Sequence, residues 1–386
     1  MYQIKTFNAI ADKGLNTFTP EYTINQPDNP DAYLIRSVNL LKAQFPATLK
    51  VIARAGAGVN NIPIKDATNH GIAVFNTPGS NANAVKELVI SMMIATARKV
   101  FAAYDYSHQN INADISKQVE YDKAKFNGTE LFGKNLLVVG LGNVGSLVAN
   151  EAVNLGMNVS GYDPYLSADS AWKINNRVHR LTDLKQALKN ADYVTIHVPK
   201  NKETMGLISN AEIKAMKDQV VLFNYARGGI VDNKAVVDNL GIKIQFYCTD
   251  FGDDIIADNP RVITTPHIGG STLEAEDNGA IKAANTIMNF LENGDTVNSI
   301  NLPGMKLPFN APYRFTVMHQ NVPNMVGQIT THLAQAHVNI NNMANAAKAE
   351  TAYTVIDVDN LNYKNQLLKQ IQEIPEVRRV RLIAHR

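Results

Sequence analysis

The stretch Leu136-Leu-Val-Val-Gly140-Leu-Gly142-Asn-Val-Gly145 decides the fold of this chain, and the next apolar run closes on an acidic residue, Asp163. In such a pattern the first glycine permits a tight turn from strand to helix, and the second lets backbone amides approach a ligand. The third glycine lets the helix pack closely against the strand. Glycines also punctuate ordinary turns, so the triplet by itself is a weak signal.

The residues around the glycines strengthen this interpretation. Ser146–Asn154 has the composition of a helix, Gly156 stands where that helix would end, and Met157–Tyr162 is typical of a strand. This order predicts a dinucleotide site with the pyrophosphate at the helix N-terminus. Asp163 would accept the ribose hydroxyls and repel a 2′-phosphate, so NAD is predicted rather than NADP. The predicted cofactor contacts in this stretch are Gly140, Gly142, Asn143, Val144, Gly145 and Asp163.

Length and composition exclude several classes of protein. A chain of 386 residues is long enough for two or three domains, and 37 basic against 35 acidic residues imply no strong field for nucleic acid or an anionic membrane. The single cysteine, Cys248, cannot form a disulfide within the chain, which favours a reducing compartment. The N-terminus has no signal-peptide pattern, and no apolar run is long enough to span a bilayer. A soluble cytoplasmic protein without a metal site is expected.

From Asp163 onward, strand-like and helical segments alternate, which is typical of a parallel sheet covered by helices on both faces. The predicted strands are Tyr193–Val198, Val220–Asn224, Lys243–Thr249 and Val262–Thr265, and the predicted helices are Asp183–Asn190, Ala211–Met216 and Asn233–Asn239. The sequence therefore predicts an α/β fold with a Rossmann-type, doubly wound cofactor domain over residues 98–272.

A second alternation precedes this domain, with likely strands at Ala32–Arg36, Val51–Ala53 and Ile72–Phe75. It predicts a smaller, flavodoxin-like α/β substrate domain over residues 1–97. Ser271-Thr-Leu-Glu274 is a capping box at the start of a long apolar-faced helix. Such a helix could carry the chain back to the first domain, so residues 273–305 are assigned to it as well.

The last part of the chain follows a linker marked by Pro303, Pro308 and Pro312. Its predicted strands are Tyr313–His319, Ala352–Val358 and Val380–Ala384, and its predicted helices are Val326–Ala336 and Asn362–Ile371. This βαββαβ pattern predicts a separate ferredoxin-like module over residues 313–386.

Two segments that follow predicted strands carry side chains suited to catalysis. Arg227 lies in Tyr225-Ala-Arg-Gly-Gly and His267 in Thr265-Pro-His-Ile-Gly-Gly, at the strand ends where α/β sheets bind ligands. An arginine can bind a carboxylate through two N–H groups, and a histidine can exchange a hydroxyl proton while hydride moves to or from nicotinamide. An acid in Asp250-Phe-Gly-Asp-Asp could fix the histidine tautomer. A surface arginine, a loop histidine and a solvated acidic turn are the plainer alternatives.

In their order along the chain these residues resemble the D-2-hydroxyacid dehydrogenase family. The matching motifs are the glycine fingerprint, Asp163, His197-Val-Pro199, Asn224-x-x-Arg227-Gly228, Asp250 and Pro266-His267-Ile268-Gly269, with Arg54–Asn61, Asn76–Asn81 and Gly128–Lys134 ahead of them. The resemblance implies an NAD-dependent enzyme in which Arg227 holds the substrate carboxylate and carbonyl and His267 is the acid/base. It also implies cofactor contacts at Ala226, Asp250, His267 and Gly269.

The chain departs from the family at one catalytic position. The family has a glutamate in the loop after Asp250 that orients the histidine, whereas this loop offers Asp253 and Asp254. An aspartate is one methylene shorter, so the loop must approach more closely or the pair is weaker. Asp254 is preferred because its spacing along the chain from Arg227 is close to the spacing between the arginine and the glutamate in the family. Asp253 is the alternative.

By the same resemblance, Arg54 meets a 3-phosphate and Gly56 offers a backbone amide to the substrate carboxylate. These features imply oxidation of 3-phospho-D-glycerate to 3-phosphohydroxypyruvate, the first step toward L-serine. Arg54 could instead only close the contact between domains. A reductase of hydroxypyruvate, glyoxylate or pyruvate is one alternative, and a redox-sensing protein that holds NAD without turnover is another.

The tail resembles an ACT regulatory domain. His319, Asn321 and Asn339 match residues that bind serine where two such domains pair edge to edge, so an L-serine effector and a homodimer or homotetramer are expected. Asn324 stands where the family usually has glycine, which could narrow the pocket. A tail that serves assembly without binding serine is the alternative. Deletion of the tail is expected to leave an active enzyme that no longer responds to serine.

Overall fold

The computed structural model describes residues 1–25, 27–109, 114–361 and 364–385. Its contacts divide the chain into two compact units, residues 1–80 with 273–386 and residues 81–272. The α/β fold predicted from the sequence is confirmed in both units. In the described part of the chain, no helix combines the length and the apolar character needed to cross a bilayer.

The N-terminal residues of the first unit form a parallel sheet. Its elements are β1 (Tyr2–Thr6), α1 (Asp12–Leu15), β2 (Tyr22–Asn25), β3 (Ala32–Ile35), β4 (Val51–Arg54), α2 (Ile64–Asn69) and β5 (Ala73–Phe75). The strand order β2-β1-β3-β4-β5 is that of flavodoxin-like folds. Strands β1 and β2 were not predicted, since their mixed polar and apolar residues give only a weak strand signal.

The second unit is a larger parallel α/β layer. Its elements are α3 (Ala82–Ala97), α4 (Val100–Gln109), α5 (Ile115–Asp122), a short 3₁₀ turn (Lys123–Phe126), β6 (Asn135–Val139), α6 (Gly145–Asn154), β7 (Asn158–Tyr162), α7 (Ala168–Ala171), β8 (His179–Leu181), α8 (Leu184–Leu188), β9 (Tyr193–Ile196), α9 (Asn210–Ala215), β10 (Val220–Asn224), α10 (Asn233–Asn239), β11 (Ile244–Thr249) and β12 (Val262–Thr264). Seven strands pair in the order β12-β11-β10-β9-β6-β7-β8. The order reverses between β6 and β9, which is the switch point where doubly wound sheets bind ligands.

Strand β6 shows why this sheet is buried on both faces. Leu136 and Val138 point into one apolar core, whereas Leu137 and Val139 point into the other. Successive side chains of a strand face opposite sides of the sheet, so a continuous apolar run is needed where helices cover both faces.

Helix α3 belongs to the second unit. Its buried residues Val85, Val89 and Met93 share a core with Val148 of α6. The contact boundary therefore falls between residues 80 and 81, whereas the sequence analysis placed it after the helix, between 97 and 98. The apolar face of a helix is visible in the sequence, but the sheet that it covers is not.

The remaining elements return to the first unit. They are α11 (Leu273–Asn293), β13 (Tyr313–Gln320), α12 (Met325–Gln335), β14 (Ile340–Lys348), β15 (Thr351–Val358), α13 (Lys364–Gln372) and β16 (Val377–Ala384). The antiparallel order β14-β15-β13-β16 matches the predicted ferredoxin-like pattern. Strand β14 is largely exposed and rich in asparagine, which explains its weak sequence signal. The predicted start of the last helix at Asn362 lies outside the described residues.

The tail has an apolar core of its own, which includes Phe315, Ile329 and Ile356, and it also packs against α11. Met318 of β13 and Tyr353 of β15 lie in the same apolar cluster as Phe290 and Leu291 of α11. The hydroxyl of Tyr353 donates a 3.0 Å hydrogen bond to the carbonyl of Gly294. One face of the tail sheet is therefore covered by α11, and the other lies against α12 and α13 in the tail's own core.

Arg314 stabilises the contact between the tail sheet and α11. Its side chain is buried and forms an ion pair with Asp357, with Nε 2.6 Å from Oδ1 and Nη2 2.8 Å from Oδ2. Its remaining N–H groups donate to three backbone carbonyls at 2.8–2.9 Å, those of Asn293, Leu307 and Pro308. The five bonds tie two tail strands to the end of α11 and to the linker.

Candidate active site

The glycine fingerprint forms a tight turn between β6 and α6. Gly140 has φ +90°, which L side chains rarely adopt, and α6 begins at Gly145. A Cβ atom at Gly145 would lie 1.8 Å from the Gly140 carbonyl oxygen, so only glycine allows this approach. A Cβ at Gly142 would meet no atom within 4 Å, so that position is open. The turn has the shape that a pyrophosphate requires.

Asp163 follows β7 beside this turn. Its Oδ2 accepts a 2.9 Å bond from the Leu141 amide and its Oδ1 a 2.9 Å bond from the Tyr165 amide. A cavity of about 320 Å³ opens here, lined by Gly142, Asp163 and Tyr165 among others. The acidic side chain is thus fixed at the edge of a cavity next to the glycine turn. The chemistry of these residues fits the adenosine half of NAD, since a carboxylate beside a glycine turn can accept hydrogen bonds from ribose hydroxyls.

His197 also lines this cavity, and the sequence analysis gave it no role. Burial lowers the pKa of His197 to about 3, so the ring is neutral. Its Nε2 lies 2.8 Å from Thr195 Oγ1, and its Nδ1 is buried without a partner among the described residues. The signal in the sequence was its position directly after β9, the strand next to β6.

Arg227 lies in the turn that follows β10. The Asn224 side chain holds this turn, since its Nδ2 donates to the Arg227 carbonyl at 3.0 Å and its Oδ1 accepts from the Ala226 amide at 3.2 Å. The guanidinium is exposed, and its Nη1 donates to the Ala226 carbonyl at 2.7 Å. An exposed guanidinium on a fixed turn can bind a carboxylate.

His267 lies three residues beyond the end of β12. It has φ +56°, in the left-handed region, and its side chain is exposed. The imidazole packs edge-on against Phe251, with ring centroids 4.9 Å apart and an interplanar angle of 62°. Within the described residues the ring makes no hydrogen bond, so both ring nitrogens can reach a ligand.

Asp250 lies directly after β11, the strand between β10 and β12, and is only 4% exposed. Its Oδ1 accepts hydrogen bonds from Thr265 Oγ1 and, at 3.1 Å, from the Ile268 amide. Its Oδ2 accepts a 2.6 Å bond from the Gly269 amide. Arg227, Asp250 and His267 thus follow three neighbouring strands.

Neither acid offered as a partner for His267 is bonded to it. Asp253 accepts from Asn233 Nδ2 at 2.7 Å and from the Ile255 amide at 3.1 Å. Asp254 is exposed, and its carboxylate has no hydrogen bond or ion pair in the described ranges. Catalytic hydrogen bonds often tighten only when substrate is bound. The assignment of Asp254 or Asp253 as the partner of His267 therefore stays a prediction.

Arg54 ends β4 in the first unit. Its Nε donates to the Arg36 carbonyl at 2.8 Å and its Nη1 to Asn60 Oδ1 at 3.3 Å. The amide of Gly56 donates to Thr77 Oγ1 at 2.7 Å. The guanidinium is thus held at the carboxyl end of a parallel strand, the edge at which such sheets bind ligands.

The three predicted effector residues of the tail are placed differently. His319 is buried, with Nδ1 2.7 Å from the Gln320 carbonyl and Nε2 2.8 Å from Thr354 Oγ1. Asn321 and Asn339 are exposed; Asn321 Nδ2 donates to the Ala349 carbonyl at 3.2 Å, and Asn339 Nδ2 donates to Asn341 Oδ1 and to Asp359 Oδ2, both at 3.2 Å. No hydrogen bond among the described residues joins the three.

Asn324 occupies a position at which the family resemblance leads one to expect glycine. It has φ +66° and ψ 8° ahead of α12. Asparagine is one of the few side chains that enters this left-handed region readily, so the backbone keeps the turn that glycine would make.

Comparison with known proteins agrees with this geometry. Residues 90–269 match the family described as "D-isomer specific 2-hydroxyacid dehydrogenase, NAD binding domain". The matched segment contains the glycine turn, Asp163, Arg227 and His267.

Two similar sequences share one name, and a similar solved structure has a related one. A D-3-phosphoglycerate dehydrogenase of Archaeoglobus fulgidus is 38% identical over 298 residues, 74% of this chain and 54% of that protein. The Methanocaldococcus jannaschii protein of that name is 36% identical over 350 residues, 87% of this chain and 64% of that protein. This chain thus spans about half to two thirds of their length. The crystal structure of NAD⁺-bound 3-phosphoglycerate dehydrogenase from Entamoeba histolytica is 25% identical, with a TM-score of 0.60 over 78% of this chain and 98% of that one.

The family match covers the same sheet, glycine turn and strand ends that the geometry singles out. The similarity to the D-isomer specific 2-hydroxyacid dehydrogenases is therefore established for residues 90–269, the segment matched by the NAD-binding domain of that family.

Proposed function

We propose that this chain oxidises 3-phospho-D-glycerate to 3-phosphohydroxypyruvate with NAD, the first step toward L-serine. The observation that carries the proposal is the placement of Arg227 and His267 after strands on either side of β11 in an NAD-binding sheet. The shared name of the relatives supports the choice of substrate.

In this mechanism Arg227 binds the carboxylate and the C2 oxygen of the substrate, since its exposed guanidinium can donate two parallel hydrogen bonds. A ring nitrogen of His267 takes the proton from the C2 hydroxyl, which requires the neutral imidazole. NAD, when bound, accepts hydride from the same carbon. Asp163 and the glycine turn hold the cofactor, with Asn143, Val144 and Ala226 as further contacts.

A carboxylate next to His267 would stabilise the imidazolium formed when the proton is taken. We assign this role to Asp254, whose exposed carboxylate is not bonded elsewhere among the described residues. Asp253 is the alternative, although its two hydrogen bonds hold it to its own turn and to Asn233.

Substrate choice is assigned to Arg54, with Gly56 as an amide donor to the substrate carboxylate once its hydrogen bond to Thr77 Oγ1 is exchanged. A guanidinium held by two hydrogen bonds suits a phosphate, because less side-chain freedom is lost on binding. A reductase of unphosphorylated 2-keto acids would have no need for this cation.

We further propose that the tail is an ACT regulatory domain in a cytoplasmic homodimer or homotetramer. Its ferredoxin-like strand order supports this assignment. L-Serine would bind at the seam of two tails, near His319 and Asn321 of one copy and Asn339 of the other. Because both ring nitrogens of His319 already have partners, binding there requires an exchange of hydrogen bonds.

The test is the appearance of NADH with a panel of 2-hydroxy acids, with and without a 3-phosphate. His267→Ala should lower turnover by about two to four orders of magnitude while NADH still binds. His179→Ala, at an exposed histidine of β8 in the same unit, is the matched control. Equal efficiency with unphosphorylated acids would contradict the substrate assignment, and no turnover with any acid would favour an NAD-sensing protein.

A further inference from the structure

We infer that Asp250 is a positioning residue that holds His267 in its catalytic conformation, a role beyond the cofactor contact predicted for it. The inference rests on the proposed acid/base role of His267. Its basis is that both carboxylate oxygens of Asp250 are bonded to the loop carrying the histidine, on either side of it.

The hydrogen bonds accepted by Asp250 come from residues on both sides of His267 in the sequence. Thr265 donates its hydroxyl from two residues before His267, and the Ile268 and Gly269 amides donate from the two residues after it. The His267 amide itself donates to the Thr265 carbonyl at 2.9 Å. One carboxylate therefore fixes both ends of a five-residue loop whose middle residue is the proposed acid/base.

The histidine has a backbone conformation that needs such support. With φ +56°, His267 lies in a region that non-glycine residues adopt only at an energetic cost. Conformations of this kind persist where the surrounding structure determines them, and they cluster at functional sites. Here the surrounding structure is the Asp250 carboxylate.

Burial makes the arrangement specific. Asp250 is 4% exposed, so its charge must be met by hydrogen-bond donors, and the donors present belong to the loop. A Cβ atom at Gly269 would lie 2.8 Å from Asp250 Oδ2, so that residue must be small for the amide to reach the carboxylate. The Asp250 carboxylate therefore depends on the loop for its hydrogen-bond donors, and the loop needs a glycine at position 269 to reach it.

The variant Asp250→Asn removes the charge and turns one acceptor into a donor, and Thr265→Val removes one of the three donors. Asp192→Asn is the matched control, since the Asp192 carboxylate accepts a hydrogen bond from the Asn135 amide at 2.8 Å in the same unit, away from the His267 loop. The first readout is hydrogen exchange of the Ile268 and Gly269 amides in the protein without ligand. The second is the split between kcat and the KM for NAD.

We expect Asp250→Asn to speed exchange at both amides and to lower kcat, each by about tenfold or more, since each lost bond involves a charged group. Thr265→Val should show a smaller effect in the same direction, and it remains informative if Asp250→Asn does not fold. The KM for NAD should stay unchanged, because the inference places the effect on the histidine loop and not on the cofactor. A loss of stability alone would not separate kcat from KM in this way.

Unchanged exchange in both variants overturns the inference, whatever the activity. Faster exchange with unchanged kcat and a raised KM for NAD also overturns it and returns Asp250 to cofactor binding. If the unmodified protein oxidises none of the acids, the proposed function fails, while the exchange result still decides whether Asp250 holds the loop.

Discussion

Replacing Arg314 by leucine tests whether the tail is an integral part of the first unit. The guanidinium and the Asp357 carboxylate are 1% and 2% exposed, so the substitution leaves a buried carboxylate without its cation. Removing one partner of a buried ion pair costs about 3–5 kcal/mol. The carbonyls of Asn293, Leu307 and Pro308 also lose a donor, which adds to this cost.

The double variant Arg314→Leu, Asp357→Leu separates the cost of the unpaired Asp357 carboxylate from the cost of the three carbonyls that lose their donor. An apolar pair of similar volume often stabilises a fold as well as a buried ion pair does, so the double variant should be more stable than Arg314→Leu by at least about 1 kcal/mol. Recovery should be incomplete, because the three carbonyls still lack donors. The control is Lys369→Ala, which breaks an exposed pair with Glu373 and should cost about 0–1 kcal/mol.

The assay is urea unfolding followed by hydrogen exchange and mass spectrometry of peptides, which reports the two units separately. Peptides from β13 and α11 should lose protection at lower urea in Arg314→Leu, with peptides from β6 as the internal reference. The reasoning would be refuted if Arg314→Leu lowered the free energy of unfolding by less than about 1 kcal/mol, or if the double variant were no more stable than Arg314→Leu.

Removing residues 313–386 should destabilise the first unit and expose Phe290 and Leu291; a truncated protein with the full-length urea midpoint would show that the shared core contributes nothing. Because the folded pKa of His197, about 3, lies below its usual 6.5, protonation favours the unfolded chain as pH falls below 6.5. The free energy of unfolding of the second unit should fall by about 2 kcal/mol from pH 7 to pH 5, and His197→Gln should flatten this slope; parallel slopes would argue against a neutral buried ring. Asp163→Ser should narrow the preference for NAD over NADP, measured as the ratio of catalytic efficiencies, and an unchanged ratio would remove Asp163 from cofactor choice. Arg54→Ala should raise the KM for the phosphorylated acid by about ten- to a hundredfold, and an equal rise for its unphosphorylated counterpart would make Arg54 structural.

The cofactor sheet could be predicted from the sequence because its signals are local. The bounds of β10 and α10 agree with the predicted Val220–Asn224 and Asn233–Asn239, and the turn after β6 needs glycine for reasons of backbone geometry alone. Weak local signals were missed, as in β1, β2 and the asparagine-rich β14. Arg227 and His267 were found because each lies beside glycines directly after an apolar strand.

The surroundings of His267 could not be predicted in the same way. Asp253 and Asp254 were chosen by their spacing along the chain, whereas the acid bonded to the histidine loop is Asp250. Which carboxylate reaches a loop depends on how neighbouring strands end, and that is set by the register between β11 and β12.

The sequence by itself determined the two parallel α/β layers, the glycine turn with Asp163 and the ferredoxin-like tail, since each is marked by local patterns of apolar, glycine and turn residues along the chain. Only the tertiary structure decided that α3 covers the cofactor sheet, that the tail shares a core with α11, and that Arg314 is buried. An arginine in a strand is ordinarily expected at the surface. Its burial depends on Asp357 and on three carbonyls from α11 and the linker, partners that only folding brings together.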